Sequence, residues 1–538
     1  MSVRCPVDEE ANLTVFDAPG NKLKDKDKAI LDESNAILDQ CRELSETRSK
    51  NRIALIQPRK GGRPSLGLLY IGAYLLDNNF EVQVFEFLDE LYPPNIRYNK
   101  GTWKQLQKYD PDFIGFSVIS STFRIVQKFI ATIRSEMPGK TIICGGKHAT
   151  SNPEDLLTND ADYCAVGESE VTIVELLHAL NFNKPLENIY GIAYLRNGEM
   201  VGTPQRPPLP LDHIKLPAFE LVDYEKYVDF RFQGIPGQFL RTGFIFGSRG
   251  CPYRCEFCTT NVRSSYRERS IDNLIDEMEW QIKNYNVEGF VILDDLFYFR
   301  ESRAIEFCNK IIERNIGTKF FCHARVDNVK KTTVELMKKA GVLLLAIGVE
   351  SGSQKILDAM KKGTTVEQIE KAFKIYNEVG INTFAFIIVG HPMETDDDRK
   401  MTKALLKRIK PTHIPVSYYM PMPGTPSYNF ELSNAKHIKT NGNTEEFTYT
   451  TDYPEFSTTI PLDDLKRIGD EFDSLSTVDR NKNLFSYPSF IMFLLKYTLF
   501  HPLVFFEGFY LRYVAHKTHQ MAPMAVIKDA IQFHMQKF

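Results

Sequence analysis

Three cysteines in one eight-residue window are the residues of this chain best placed to do chemistry. The segment CPYRCEFC sets Cys251, Cys255 and Cys258 at spacings of four and three. Nine cysteines in 538 residues are too sparse for a disulfide scaffold. Zinc ordinarily takes a fourth Cys or His at short spacing, and none follows closely. Iron–sulfur chemistry fits better. Three thiolates on a short loop hold three irons of a 4Fe–4S cube and leave the fourth iron open to a small chelating molecule. The other six cysteines, Cys5, Cys41, Cys144, Cys164, Cys308 and Cys322, are dispersed and read as structural.

Composition narrows the remaining choices. Lys+Arg is 66 and Asp+Glu is 69, a formal net charge of −3, so no global basic field points to nucleic acid. The opening MSVRCPVDEE holds no apolar signal core. The expectation is a reducing, cytoplasmic compartment.

The elements that must position the cysteines follow from periodicity. A strand-like run, Phe244–Gly247, leads into them. Ser270 can cap a helix whose apolar residues Ile271, Leu274, Ile275 and Met278 recur at helical spacing. GFVIL over 289–293 reads as a buried strand ending in Asp294 and Asp295. FFCHARVD with Arg325, VLLLAIGVESGS with Glu350 and Ser351, NTFAFIIVGHP with Gly390, and IPVSYYMPMPGTP repeat the pattern, with helices near 334–340 and 367–379 between them. Apolar strands alternating with helices indicate a parallel sheet covered on both faces, with ligands at the carboxyl ends of its strands. Each polar residue there also has a plain structural reading. The aspartates and Glu350–Ser351 can cap helices, Arg325 can form an ion pair, and Gly390–Pro392 can be a turn.

Upstream, NRIALIQP, EVQVFEF, PDFIGFSVISSTF, TIICGGKHAT and ADYCAVG are strands separated by helices such as PSLGLLYIGAYLLDNNF and 171–179. This is a second, doubly wound α/β unit. It lacks GxGxxG, so a dinucleotide is not its first ligand. GTPQRPPLPLDHIKLPAFE, rich in proline, reads as an extended connector.

The cysteine segment, with Phe257 at its aromatic place, resembles the CxxxCxΦC signature of the radical S-adenosylmethionine (SAM) superfamily. The resemblance implies that SAM chelates the open iron and is cleaved by one electron to methionine and a 5′-deoxyadenosyl radical. It also implies that Asp294 and Asp295 meet the SAM amino group and Arg325 its carboxylate. Glu350 and Ser351 would contact ribose and methionine, and Gly390 would lie near adenine. The upstream unit resembles the cobalamin-binding domain of the cobalamin-dependent subfamily, on PSLGLLYIGAYL, GFS…SST, GGKHAT and VGESE. Ser117, Ser120, Ser121 and Thr122 are then expected to contact the corrin or its nucleotide tail. Gly145 and Gly146 would let the backbone approach that tail, and Gly167 and Glu168 would line it. The sequence lacks DxHxxG, so the expected cobalamin is base-off, with no histidine lower ligand.

The expected fold class is α/β: a Rossmann-like cobalamin-binding domain, then a partial (β/α)6 radical SAM barrel, then an α-helical C-terminal region. The expected boundaries are 1–50 for an N-terminal helical extension, 51–185 for the cobalamin-binding domain, 186–235 for the connector, 236–430 for the barrel and 431–538 for the aromatic-rich tail. Ile30, Leu31, Ile37, Leu38 and Leu44 suggest an amphipathic helix in the extension, packed on the neighbouring domain or meeting a partner. The tail has no ~18-residue uncharged run. It reads as a helical cap on the barrel or as an interfacial helix pair in peripheral contact with a membrane.

Three functions stay open. One is a radical SAM enzyme that transfers a methyl group from methylcobalamin to an unactivated carbon. Another is a cyclase or rearrangement enzyme like the anaerobic porphyrin-ester cyclases. The last is a non-catalytic cluster- and corrin-binding sensor or carrier. For an enzyme, the expected partners are a small-molecule or lipid-like substrate and an external electron donor of flavodoxin or ferredoxin type, with no nucleic acid.

Overall fold

Strands such as Ile53–Ile56 and Gly289–Ile292 are apolar along their whole length, so both faces must be covered. In the computed structural model they lie in two mainly parallel sheets flanked by helices. The structure describes residues 25–45, 51–58, 63–87, 100–228, 230–232, 239–261, 266–327, 329–428, 460 and 462–477. The aromatic tail, including everything beyond 477, lies outside the described residues.

The first sheet contains β1 (Arg52–Gln57), β2 (Glu81–Glu86), β3 (Phe113–Ser117), β4 (Thr141–Gly145), β5 (Tyr163–Ala165), β6 (Ile192–Arg196) and β7 (Glu199–Gly202). Its order is β2-β1-β3-β4-β5-β6-β7; the first five strands pair in parallel and the last two join antiparallel. The helix Asp25–Ser45 packs on this unit, burying Leu38 and Cys41 in its core. That matches the first of the two expectations for the N-terminal extension.

The second sheet begins with β8 (Phe230–Phe232) and β9 (Phe239–Ile245). A short antiparallel pair follows, β10 (Ser248–Arg249) with β11 (Arg267–Glu268). The sheet continues with β12 (Gly289–Ile292), β13 (Lys319–Ala324), β14 (Val342–Glu350), β15 (Asn382–Val389) and β16 (Val416–Tyr418). Its order is β16-β15-β14-β13-β12-β9-β8, six parallel strands with an antiparallel edge, the partial barrel expected from the sequence. Parallel register brings all six carboxyl ends to one rim.

Local signals set the helices between strands. Ser270 Oγ accepts from Asn273 N at 3.3 Å and starts the helix Ile271–Tyr285, whose Ile271, Leu274, Ile275 and Met278 are buried. Thr365 and Gln368 form a capping box at the helix Val366–Val379, and Gly380 closes that helix at φ +74°.

The proline-rich connector packs against the barrel. It carries 3-10 turns at Leu211–His213 and Phe219–Leu221. Phe219 is buried; its ring lies 4.3 Å from Tyr224 and stacks on Trp280 at 5.5 Å, between centroids. Leu66, Leu69 and Tyr70 of the first unit belong to the barrel's own core cluster, so the two sheets share apolar packing. Among the described residues no helix is long and apolar enough to cross a membrane.

One ionic contact adds direction to that packing. Arg249 Nη1 donates to Glu168 Oε2 at 2.6 Å and to Glu170 Oε1 at 2.7 Å, and Arg267 also pairs with Glu168. Burial works against the Arg249 charge, but Glu170 and Glu168 outweigh it and hold its pKa above the usual guanidinium value. Arg249→Gln leaves two sheltered carboxylates short of a partner and should cost about 3–5 kcal/mol. Guanidinium unfolding checks this: a clear fall in the midpoint is expected, and an unchanged midpoint would contradict the role of the pair.

Candidate functional site at the facing strand ends

The segment Cys251–Cys258 contains neither helix nor strand, and the residues between its cysteines hold it in place. The Tyr253 ring lies 3.6 Å from the Arg325 guanidinium carbon, and its hydroxyl donates to Asp327 Oδ2 at 2.7 Å. Glu256 N donates to Met360 O at 3.1 Å, and Ser427 Oγ donates to Glu256 O at 3.1 Å. The Glu256 carboxylate accepts from His391 Nε2 at 3.2 Å and from Tyr419 OH at 3.4 Å. Nε2 is the protonated nitrogen there, because Nδ1 accepts from Met393 N at 3.2 Å. Phe257 packs against Ile356, Met360 and Tyr419.

Cys255 is buried, and Cys251 and Cys258 are half-buried. Burial pushes the Cys251 thiol up to about 11, and Cys258, Asp295 and Cys255 push the same way. Burial also raises Cys255, while Lys362 and Arg325 pull it down. The raised thiols of Cys251 and Cys255 give up their protons when a positive partner arrives, and iron is such a partner. Among the described residues no three His, Cys, Asp or Glu side chains gather round a single ion. A 4Fe–4S cube needs no such point, since each iron takes its own thiolate. The donor set and its mutual electrostatics therefore fit the cluster. The dispersed Cys41, Cys144, Cys164, Cys308 and Cys322 are buried.

The strand ends around the loop divide into closed and open positions. Asp294, after β12, is fully buried; it accepts from Gly247 N and from Ser248 Oγ, each at 2.6 Å. Burial pushes its carboxyl up to about 6 against the pull of those two bonds. Asp294 thus ties the end of β12 to the turn that leads into the cysteines. Asp295 is exposed; it accepts from Thr260 Oγ1 at 3.0 Å. Arg325 donates to Asp327 at 2.7 Å and to Lys362 O at 2.8 Å. Ser351 is fully buried, with its hydroxyl 3.3 Å from Thr402 Oγ1.

Glu350 ends β14 in the left-handed region at φ +62°, where the register with β15 shifts. A non-glycine residue there stores strain, and such strain collects at functional sites. Lys362 Nζ donates to Glu350 Oε1 at 2.6 Å, and both side chains are buried. A Cβ on Gly348 would lie 2.6 Å from Lys362 Nζ, so the glycine makes room for the pair. Gly390 N donates to Glu394 Oε2 at 2.8 Å from a backbone at φ +90°.

In the first unit, Ser117 ends β3 and Gly145 ends β4, both half-buried. Gly146, at φ +94°, has no room for a side chain, since a Cβ would lie 2.7 Å from Val118 O. Ser120 Oγ is 3.2 Å from His148 Nδ1, Ser121 is half-buried, and Thr122 Oγ1 donates to Ile119 O at 3.1 Å. Gly167 N donates to Thr150 Oγ1 at 3.0 Å. Glu168 lies in the ion pairs with Arg249 and Arg267 already described. Bare glycine backbone beside reachable hydroxyls fits a large planar cofactor at this edge. Lys147, next to the glycine pair, points at the other unit: its Nζ is 3.8 Å from Asp295 Oδ1.

The glycine edge of the first unit and the cysteine loop of the second therefore lie next to each other, and the fold is that of a two-domain α/β protein. A B12-binding domain model matches residues 54–177, and a radical SAM superfamily model matches residues 245–406. The chain carries a B12-binding domain ahead of a radical SAM domain.

Its relatives are distant. An uncharacterized methyltransferase of Pyrococcus horikoshii is 27% identical over 376 residues, covering 69% of this chain and 79% of that protein. The anaerobic magnesium-protoporphyrin IX monomethyl ester cyclase of Rubrivivax gelatinosus is 26% identical over 375 residues, 68% of this chain and 65% of the cyclase, just under two thirds of its length. The radical SAM methyltransferase TsrM from Kitasatospora setae, solved with cobalamin and a [4Fe-4S] cluster, shares the fold at TM-score 0.57 and 20% identity, over 70% of this chain and 74% of that one.

Lys362, Arg249, Tyr253 and Glu256 were not singled out from the sequence. Only the last two carry a local signal, their place between the cysteines. The contrast between the two aspartates is measurable. Asp294→Ala removes the partner of a buried N–H and a buried hydroxyl, at about 1–3 kcal/mol for each. Asp295→Ala is a surface change worth roughly 0.5 kcal/mol or less. Thermal melting should separate the two variants clearly; equal melting temperatures would contradict the assignment.

Proposed function

We propose that this enzyme modifies an unactivated carbon, by transfer of a methyl group. The observation that carries the reading is the Lys147–Asp295 approach, 3.8 Å across the gap between the glycine edge of β4 and the cysteine loop. A corrin on one side and SAM on the other would then share one substrate. When bound, the cluster supplies the electron that cleaves SAM and cobalamin carries the methyl group.

The chain's own residues take the following parts in this reading. Cys251, Cys255 and Cys258 hold the cluster. Asp295, exposed beside Cys251, receives the SAM amino group. The Glu350–Lys362 pair offers a carboxylate and an ammonium to the polar end of SAM. Gly390 lets the adenine approach the backbone, and Phe257 packs the floor of the loop. Ser117, Ser120, Ser121, Gly145, Gly146 and Gly167 line the corrin or its tail. Asp294, Arg325, Ser351, Thr122 and Glu168 act by positioning these groups.

Cobalamin would be held base-off. The histidine nearest the glycine pair, His148, is buried between Ser120 and Asp155, with its ring 4.6 Å from Phe123. An external one-electron donor of flavodoxin or ferredoxin type would reduce the cluster. A cobalamin-loaded sample should show a base-off visible spectrum that survives His148→Ala. A base-on spectrum lost in that variant would overturn the ligation.

Oxidative ring formation is the second reading, favoured by the cyclase relative that matches 68% of this chain. Anaerobically reconstituted protein, given reductant and SAM, should form 5′-deoxyadenosine. Cys251→Ala, Cys255→Ala and Cys258→Ala should each abolish it, and retention in any of them would sink the cluster assignment. Product mass spectrometry with methyl-labelled SAM separates the two readings. Gain of one labelled methyl supports transfer; loss of hydrogens without label supports ring formation.

A further inference from the structure

The inward sides of β13 and β15 carry an aromatic surface with a histidine, His323, set into it. Along β13, Phe320, Cys322 and Ala324 are buried toward the helices, while Phe321 and His323 alternate with them and are only half-buried. β15 repeats the pattern: Thr383, Ala385 and Ile387 are buried, while Phe384 and Phe386 are half-buried. Alternation along parallel strands puts the half-buried set on the concave side. Its rings touch: Phe321 lies 5.8 Å from His323 and 5.8 Å from Phe384, and His323 lies 6.4 Å from Phe386.

His323 is held in one orientation and one tautomer. Phe297 N and Tyr298 N both donate to its carbonyl at 3.2 Å, fixing the backbone. Its Nδ1 lies 3.0 Å from the Asp294 carbonyl oxygen, which can only accept, so Nδ1 carries the proton. Burial, with Arg63 adding to it, keeps the imidazole pKa below its ordinary value and the ring neutral. The lone pair is then on Nε2, and no described residue meets it. Once a ligand displaces water from these aromatic walls, an acceptor left without a donor is costly. The ring stands one residue from the end of β13, beside the Asp294–Asp295 pair that borders the cysteine loop.

We propose that His323 is a substrate-binding residue, and that the barrel interior takes a flat, largely apolar molecule carrying a hydroxyl or N–H group that donates to His323 Nε2. The apolar walls reward the ring system; the histidine selects among ring systems for one that brings a donor. This rests on the radical-enzyme reading only for placing the reaction at that rim.

Two probes of nearly the same shape test it: 2-naphthol, which donates, and 2-methoxynaphthalene, which does not. Binding to the reconstituted, cobalamin- and SAM-loaded protein is measured by equilibrium dialysis. Wild type should prefer 2-naphthol by about tenfold, the worth of one sheltered hydrogen bond. His323→Phe should erase the preference while keeping 2-methoxynaphthalene affinity. His323→Gln, which restores an acceptor, should recover part of it, and Phe386→Ser should weaken both probes. No preference in wild type overturns the proposal whether or not the variants fold, and so does a preference that survives in His323→Phe. Wild-type 5′-deoxyadenosine formation is assayed in parallel. Its absence with the preference intact removes the radical reading and leaves the binding site standing.

Discussion

Arg249 is the contact on which the arrangement of the two units depends. It lies two residues ahead of Cys251 and holds two carboxylates from the segment after β5. Apolar packing around Phe219, Leu66 and Tyr70 supplies attraction but little direction. A guanidinium between two carboxylates supplies direction, because its donors are fixed in a plane. Any slide of one sheet over the other would strip a buried charge of its partner. The first cysteine therefore sits at the end of a short chain of atoms rooted in the other domain.

The rim behind that contact shows a division of labour. Asp294, Ser351 and Arg325 spend their polar atoms on the protein itself. They hold neighbouring strand ends at fixed distances and so fix the positions left open. Asp295 remains exposed, and the strained Glu350 presents its paired carboxylate beside Cys255. Strain at Glu350 and burial of its pair with Lys362 cost stability, which packing elsewhere in the barrel must offset.

Much of this was legible in the sequence because it is local. The cysteine spacing, the Ser270 cap, the apolar strands and the glycine pair after β4 each follow from residues a few positions apart. The barrel's strand ends fell where the polar residues appear. What was not legible is long-range. Nothing near Lys362 in the chain announces Glu350, and Arg249 could not be matched to Glu170 without the interface between them. The two neighbouring aspartates have the same letter and opposite environments, set by the packing of Gly247 and Ser248 over only one of them. Glu168, expected to line a cofactor, lies in the ion pairs between the units. The prolines announce an extended connector, but not that its Phe219 packs into the barrel's core.

The central claim is that the cysteine loop carries a cluster whose fourth iron is open to SAM. Electron paramagnetic resonance of the reconstituted, dithionite-reduced protein tests it directly. A 4Fe–4S signal whose g-values change on adding SAM is the predicted result. A signal identical with and without SAM would contradict the account.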